Sequence, residues 1–143
     1  LLQINKNYKL LMIGNGKFEK EFELESKKLG ISENIICIGN RKNINEYMSA
    51  MDLFLFPSRW EGFGTVLLEA QACGLTCFTS KDVVPLETNV SGNVNFISLK
   101  QTPKQWANII INTNIERYEG HKIIENSKYN INNLVDLMQK IYI

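Results

Sequence analysis

Residues 52–80 read DLFLFPSRWEGFGTVLLEAQACGLTCFTS, two short apolar runs separated by a glycine loop and a helical pattern. The runs at 52–56 and 75–79 are continuous rather than alternating, which is typical of strands that are covered on both faces. Residues 65–73 between them have a helical composition and are followed by Gly74, a residue type that commonly ends helices. A strand, a helix and a second strand in this order predict two parallel strands joined by a crossover helix.

The same alternation continues on both sides of this stretch. Three further strands are predicted at 9–13, 34–38 and 94–99, and two helices at 17–29 and 44–51. The pattern is then helical, with predicted helices at 103–114, 116–126 and 130–141. We therefore predict an α/β fold of the Rossmann-like type, a doubly wound parallel sheet with a helical C-terminal tail.

Length, composition and charge limit the kinds of protein that this chain can be. A chain of 143 residues has the size of one domain, and its 44% of hydrophobic residues excludes a disordered chain. The net charge of +1 predicts no nucleic-acid partner and no general attraction to anionic membranes. The sequence has neither a signal-peptide pattern nor an apolar run of about 18 residues. Cys37, Cys73 and Cys77 lack metal-ligand spacing and predict buried thiols in a reducing, cytoplasmic compartment.

Polar segments that contain glycine follow the first three predicted strands. They are Gly14-Asn15-Gly16, then Gly39-Asn40-Arg41-Lys42, and then the loop at 57–64. In doubly wound sheets, ligands bind outside the carboxyl ends of the strands, so we expect these segments to line one rim.

The third loop leads into a helix whose free amides are suited to bind a phosphate. Gly62 and Gly64 allow a close approach of the backbone to a ligand. A helical wheel places Glu69 at the seam of the packed face, where its carboxylate can accept hydrogen bonds from a ribose diol. The residues alone leave two alternatives open, a glycine turn without a ligand and a helix glutamate without a ligand.

Taken together, these motifs resemble the signature of the retaining GT-B glycosyltransferases of family four. Glu61 and Glu69 are separated by seven residues, with Gly-Phe-Gly after the first and Ala-x-Ala-x-Gly after the second. The segment at 13–23 resembles the family's glycine turn and acidic helix, and the segment at 34–58 its next strand, loop, helix and strand. The resemblance covers residues 8–99 in unbroken order.

The resemblance implies a role for each matching residue. Glu69 would bind the ribose hydroxyls of a nucleotide-sugar donor, and Glu61, the candidate catalytic residue, would bind the donor sugar and orient its anomeric carbon. The backbone amides of Gly62, Phe63, Gly64 and Thr65 would hold the distal phosphate and the sugar. The turn Gly14-Asn15-Gly16 would border the diphosphate. The cations Arg41 and Lys42 would flank the base.

The family needs no metal and no cofactor, so the resemblance implies a nucleoside-diphosphate sugar as substrate and a glycan or lipid-linked oligosaccharide as acceptor. The implied process is surface or capsular polysaccharide synthesis at the cytoplasmic face of the membrane, with peripheral membrane contact in a full-length protein only. The spacing of the possible metal ligands in this sequence also argues against a metal site. The three Asp residues are far apart in the sequence, and His121, which we expect on the surface, has no ligand partner near it.

In this family the donor domain is the C-terminal half of a two-domain enzyme. We therefore interpret residues 1–143 as a single nucleotide-sugar-binding domain, a fragment that lacks its N-terminal acceptor-binding domain. The family's diphosphate-clamping Arg and Lys would lie upstream of Leu1, and the segment at 81–92 departs from the family's glycine-rich version. We expect the chain alone to bind a nucleotide weakly and to transfer nothing.

Two other functions are considered. One is a non-catalytic nucleotide-binding module or subunit that works with a separate acceptor-binding chain. The other is a nucleotide-sugar epimerase, against which the glutamate pair argues.

The aromatic residues have packing alternatives. Trp60 and Phe63 can stack on a sugar or base; packing is an equal alternative for Phe63 and is favoured for Trp60. Trp106 and residues 109–111 are predicted to form the core of the tail. Three residues of the tail are expected to pack onto the absent domain: Tyr129, Tyr142 and Ile143.

Overall fold

The computed structural model describes residues 1–142, without the side chains at positions 137, 141 and 142. This part of the chain forms five strands and six α-helices. In chain order they are β1 (Leu10–Met12), α1 (Glu19–Lys28), β2 (Ile35–Cys37), α2 (Ile44–Ser49), β3 (Leu53–Phe56), α3 (Thr65–Ala72), β4 (Thr76–Ser80), β5 (Val94–Ile97), α4 (Pro103–Asn112), α5 (Gly120–Glu125) and α6 (Ile131–Tyr142). Every predicted strand and helix is present, with ends that differ by at most four residues. None of the described helices has the length and apolar composition needed to cross a membrane.

All strand pairs are parallel, and the five strands form two sheets. In the first sheet β1 pairs with β2, and Leu10 lies opposite Ile35. In the second sheet β4 lies between β3 and β5, so that Phe78 has Leu55 on one side and Asn95 on the other. The predicted α/β fold with a helical tail is confirmed. Among the described residues, β1 pairs with β2 only and β3 pairs with β4 only, so the strands do not form one continuous sheet.

The chain divides into two compact units, Leu1–Ile44 and Asn45–Ile143. The first unit contains β1, α1 and β2, and the second contains β3 to β5 and α3 to α6. That residues 1–143 form a single nucleotide-sugar-binding domain remains a prediction. The contacts expected for Tyr142 and Ile143 lie outside what the structure describes.

The core of the second unit is built around β4, whose five residues are all buried. Phe78 at its centre is fully buried, and so are Leu67 and Ala70 on α3. The continuous run that predicted a strand covered on both faces is therefore confirmed for β4. Burial also raises the pKa of the Cys77 thiol to about 12, so this buried cysteine stays protonated at neutral pH.

Helix α4 packs on this core through one face. Thr102 begins the helix with a capping box, in which its side chain accepts from the Gln105 amide. Trp106 and Ile110 are buried, and the Trp106 ring nitrogen donates to the Ser98 carbonyl oxygen at 3.1 Å. Their predicted core role is confirmed. The same prediction is wrong for the neighbouring residue 111, which is 42% exposed because consecutive helix positions point about 100° apart.

The sheet of the first unit is thinly covered. Met12 and Ile36 are 36% and 46% exposed, and Cys37 is also exposed. The expectation of three buried thiols is therefore wrong for Cys37, and Cys73 is only half-buried. The physical reason is that Cys37 is the last residue of β2 in a sheet of two strands. No described element of this unit covers its side chain.

In the second unit, two glycines allow α3 and α5 to approach closely. Gly74 has a φ of +74°, and a Cβ at this position would overlap the Tyr118 carbonyl oxygen. A Cβ on Gly120 would likewise overlap the Gln71 carbonyl oxygen. Neither position has room for a methyl group, so the sequence-predicted end of α3 is also a site of tight packing.

Arg117 connects the ends of two helices. Its guanidinium donates to the carbonyl oxygens of Cys73 at 2.9 Å and Ser49 at 2.7 Å, and also to those of Met48 and Met51. The last carbonyls of a helix have no partner within the helix, and a cation there also interacts favourably with the helix dipole. Arg117 thereby stabilises the C-terminal ends of α2 and α3 together.

Candidate functional site

The loop at 57–64 between β3 and α3, which we call the motif loop, forms the centre of the candidate site. Gly64 has a φ of +81° and a ψ of 49°, a left-handed conformation that favours glycine. It is the N-cap of α3, and no side chain caps the helix there. The Leu67 amide donates to the Gly64 carbonyl oxygen at 2.9 Å, and the Thr65 and Val66 amides keep the hydrogen-bonding capacity that an anion can use.

The two glutamates of the motif lie on either side of Gly64. Glu61 is half-buried, and its Cγ would lie 3.5 Å from a Cβ on Gly64. Glu69 lies in the second turn of α3 and is exposed, so its predicted position at the seam of the packed face is wrong. Neither carboxylate has a hydrogen-bond or ion-pair partner among the described residues. Both therefore retain their full capacity to accept hydrogen bonds.

The helix wheel misassigned Glu69 because the buried polar position of α3 is Gln71. Its amide nitrogen donates to the carbonyl oxygens of Leu67 and Thr88 at 2.9 and 2.8 Å. Its carbonyl oxygen accepts from the Val90 and Ser91 amides and the Ser91 hydroxyl at 2.9–3.0 Å. The sequence limited the choice for this role, since Gln71 and Glu69 are the two polar side chains of α3 after Thr65.

The two aromatic residues of the motif loop differ. Trp60 is 90% exposed, so the packing role favoured for it is wrong. Phe63 is half-buried, and its ring lies 5.3 Å from the ring of Tyr129 at an interplanar angle of 48°. Packing is therefore confirmed for Phe63. Tyr129 packs within its own chain, a contact that the sequence analysis did not foresee because 66 positions separate the two residues.

A second group of predicted site residues lies in the first unit. The Gly14 amide donates to the Gly39 carbonyl oxygen at 2.9 Å, and the Asn15 amide donates to the Asn40 side-chain oxygen at 3.1 Å. Arg41 follows directly and donates to the Asn40 carbonyl oxygen at 3.1 Å. The loops after β1 and β2 therefore lie side by side, as expected for the carboxyl ends of paired parallel strands.

These loop residues are solvent-exposed: Gly14, Asn15, Gly16, Arg41 and Lys42. The predicted site residues thus form two groups, one in each compact unit. The motif-loop group consists of Glu61, Gly62, Phe63, Gly64, Thr65 and Glu69.

The described residues contain no cluster of three or more His, Cys, Asp or Glu side chains that could hold a metal ion. His121 is exposed at the start of α5, as the sequence predicted for a surface histidine. Metal independence remains a prediction.

Comparisons with known proteins identify relatives along most of the chain. The sequence model of a family described as "Glycosyl transferases group 1" matches residues 1–130. The putative glycosyltransferase EpsF of Bacillus subtilis is 32% identical over 103 residues, which are 72% of this chain and 27% of EpsF. The capsular polysaccharide biosynthesis glycosyltransferase CapH of Staphylococcus aureus is 27% identical over 142 residues, which are 98% of this chain and 40% of CapH.

A solved structure shares the fold. The pneumococcal O-GlcNAc transferase GtfA, in complex with UDP and GlcNAc, aligns with a TM-score of 0.73 at 17% identity. The alignment covers 98% of this chain and 30% of GtfA. The chain therefore spans about a quarter to two-fifths of the length of these relatives.

Proposed function

This chain belongs to the group 1 glycosyl transferases, and from that premise we propose that it binds a nucleoside-diphosphate sugar. In this proposal it is the donor-binding part of an enzyme that transfers the sugar to an acceptor hydroxyl, with retention of configuration and without a metal. The observation that carries the proposal is the start of α3, where uncapped amides lie within nine residues of two glutamates that have no side-chain partner among the described residues.

The start of α3 suits a diphosphate. Backbone amides at Gly62, Phe63, Gly64 and Thr65 would hold the distal phosphate, because the first turn of a helix combines free donors with the positive end of the helix dipole. Without a metal, these amides would also stabilise the charge that develops on the leaving group.

The glutamates suit the neutral parts of the donor. The exposed Glu69 carboxylate would accept two hydrogen bonds from the ribose diol. Glu61, whose Cγ lies beside Gly64, would bind hydroxyls of the donor sugar and orient the anomeric carbon for an oxocarbenium-like transition state.

The loops of the first unit are also proposed to contact the donor. In the proposal Gly14, Asn15 and Gly16 border the diphosphate, and Arg41 and Lys42 flank the base. Their solvent exposure supports this assignment.

The acceptor would be a glycan or a lipid-linked oligosaccharide, held by a part of the protein outside these residues, in the assembly of surface polysaccharide. The similarity to CapH, a capsular polysaccharide biosynthesis glycosyltransferase, supports this process, and the UDP in the GtfA structure supports the donor class. We place the reaction in the cytoplasm, at the inner face of the membrane.

The ribose assignment is tested by Glu69→Ala. Charge-assisted hydrogen bonds contribute about 1.5–3 kcal/mol, so we expect roughly a tenfold to hundredfold weaker affinity for whichever of UDP, GDP and ADP the parent binds. Isothermal titration calorimetry measures this loss.

Two controls accompany the titration. Glu125→Ala removes a carboxylate from the exposed surface of α5 and should bind like the parent. With the matching 2′-deoxynucleoside diphosphate, the loss caused by Glu69→Ala should shrink, because one hydroxyl partner is already absent. Equal affinities of the Glu69→Ala variant and the parent would contradict the assignment.

A further inference from the structure

Phe63 is the only side chain in the Gly62-Phe63-Gly64 tripeptide of the motif loop. Glycine on both sides gives the backbone great conformational freedom, and a Cβ on Gly62 would meet nothing within 4 Å. The contacts of the Phe63 ring therefore help to hold these amides in position.

Tyr129, in the connection between α5 and α6, contacts that ring. The two ring centroids are 5.3 Å apart at an angle of 48°, within the range of favourable tilted aromatic pairs. The Tyr129 hydroxyl also donates to the Glu87 carbonyl oxygen at 3.2 Å. The Lys128 ammonium lies 5.1 Å from the centre of the Tyr129 ring, which adds a cation–π contact.

The Glu87 contact reaches a second support of the motif loop. Glu87 belongs to the 3-10 turn Leu86–Thr88 in the segment between β4 and β5. In the same segment Val84 is buried, with its Cγ1 3.6 Å from the position of a Cβ on Gly64. Tyr129 thus holds the loop at Phe63 directly and the neighbouring segment at Glu87.

The far end of that segment is already fixed. Gln71 binds it at Thr88, Val90 and Ser91, and the Tyr118 hydroxyl donates to the Ser91 hydroxyl oxygen at 2.9 Å. The Tyr129 contacts therefore add a second link, besides Val84, between this hydrogen-bonded segment and the glycines of the motif loop.

We propose that Tyr129 is a positioning residue for the diphosphate site: by holding Phe63 and Glu87, it sets the positions of the Gly62–Gly64 amides without touching the ligand. The inference rests on the proposed function, because it assumes that these amides bind the distal phosphate. It assigns part of the donor site to a residue of the helical tail.

Three variants distinguish the ring contact of Tyr129 with Phe63 from its hydrogen bond to Glu87. Tyr129→Ala removes the ring and the hydroxyl, Tyr129→Phe keeps the ring contact and removes the hydrogen bond to Glu87, and Tyr8→Ala removes an exposed tyrosine of the first unit as the matched control. Titrations compare UDP with UMP, and GDP with GMP, because only the diphosphates carry the distal phosphate.

We expect Tyr129→Ala to weaken diphosphate binding about tenfold and monophosphate binding much less, because one aromatic contact has this magnitude. Tyr129→Phe should recover most of the loss, and Tyr8→Ala should match the parent. Equal losses for both ligand classes would indicate a general effect on folding and would overturn the proposal.

A measurement without ligand keeps this proposal separate from the proposed function. In ¹⁵N relaxation of the free protein, Tyr129→Ala should lower the order parameters of the Gly62 and Gly64 amides from about 0.85 toward 0.6, and Tyr129→Phe should not. Unchanged values in Tyr129→Ala would overturn the positioning role. If the parent binds none of UDP, GDP and ADP, the proposed function fails and relaxation alone decides on Tyr129.

Discussion

Gly120 and Gly74 show how little room the contact between α3 and α5 leaves. Both glycines lie against backbone carbonyl groups, of Gln71 and Tyr118 respectively, which cannot rotate away as a side chain can. An added methyl group would therefore have to move a helix.

We expect Gly120→Ala to destabilise the second unit by at least about 2 kcal/mol, because the new Cβ overlaps the Gln71 carbonyl oxygen. Urea unfolding followed by tryptophan fluorescence measures this, since Trp60 and Trp106 both belong to the second unit. Gly62→Ala is the matched control, because its Cβ would meet nothing within 4 Å and its φ is not positive. If both variants unfold at the same urea concentration, the tight contact is refuted.

At the scale of elements, the strands of the two sheets differ in their coverage. β4 has neighbours on both edges and five buried residues, whereas β1 and β2 each have one neighbour and carry exposed apolar side chains. Two strands alone are marginally stable in water. The first sheet therefore gains little from burial.

This difference predicts unequal local stability. We expect the Ile38 amide, bonded to the Met12 carbonyl oxygen, to exchange its hydrogen roughly a hundredfold or more faster than the Cys77 amide, bonded to the Asn93 carbonyl oxygen. Hydrogen exchange followed by NMR on the native protein gives both rates after correction for sequence. Similar protection factors would show that the first sheet is as stable as the second.

At the scale of the whole molecule, the chain corresponds to a part of its relatives. It covers 27% of EpsF and 40% of CapH. Transfer requires an acceptor hydroxyl held next to the anomeric carbon, since correct placement of both reactants supplies much of the rate.

We therefore expect the 143-residue chain to transfer no sugar by itself, even if it binds a nucleoside diphosphate as proposed. The measurement is transfer from radiolabelled UDP- and GDP-sugars to lipid-linked oligosaccharide, with a full-length glycosyltransferase of known donor and acceptor as the positive control. Sugar transfer by the 143 residues alone contradicts this expectation.

The strands, the helices and the loops of the candidate site could be predicted from the sequence. Periodicity, glycine spacing and helix ends are properties of contiguous residues, so the runs at 52–56 and 75–79 and the order of Glu61, Gly64 and Glu69 indicated a βαβ unit with a motif loop. The family resemblance used the same local information.

Side-chain environments were decided by the tertiary structure. The wheel for α3 could not tell that Gln71 is buried and Glu69 exposed, because the bonding partners of Gln71 lie 17 to 20 positions further along the chain. The exposure of Cys37 likewise depends on which elements cover its sheet.

Sequence by itself therefore determined the element order, the parallel α/β class and the family. Only the tertiary structure decided that the strands form two sheets, that Arg117 binds the ends of two helices and that Tyr129 contacts Phe63. The physical reason is that local conformation follows from a residue's immediate neighbours, whereas burial and contact depend on segments that only folding brings together.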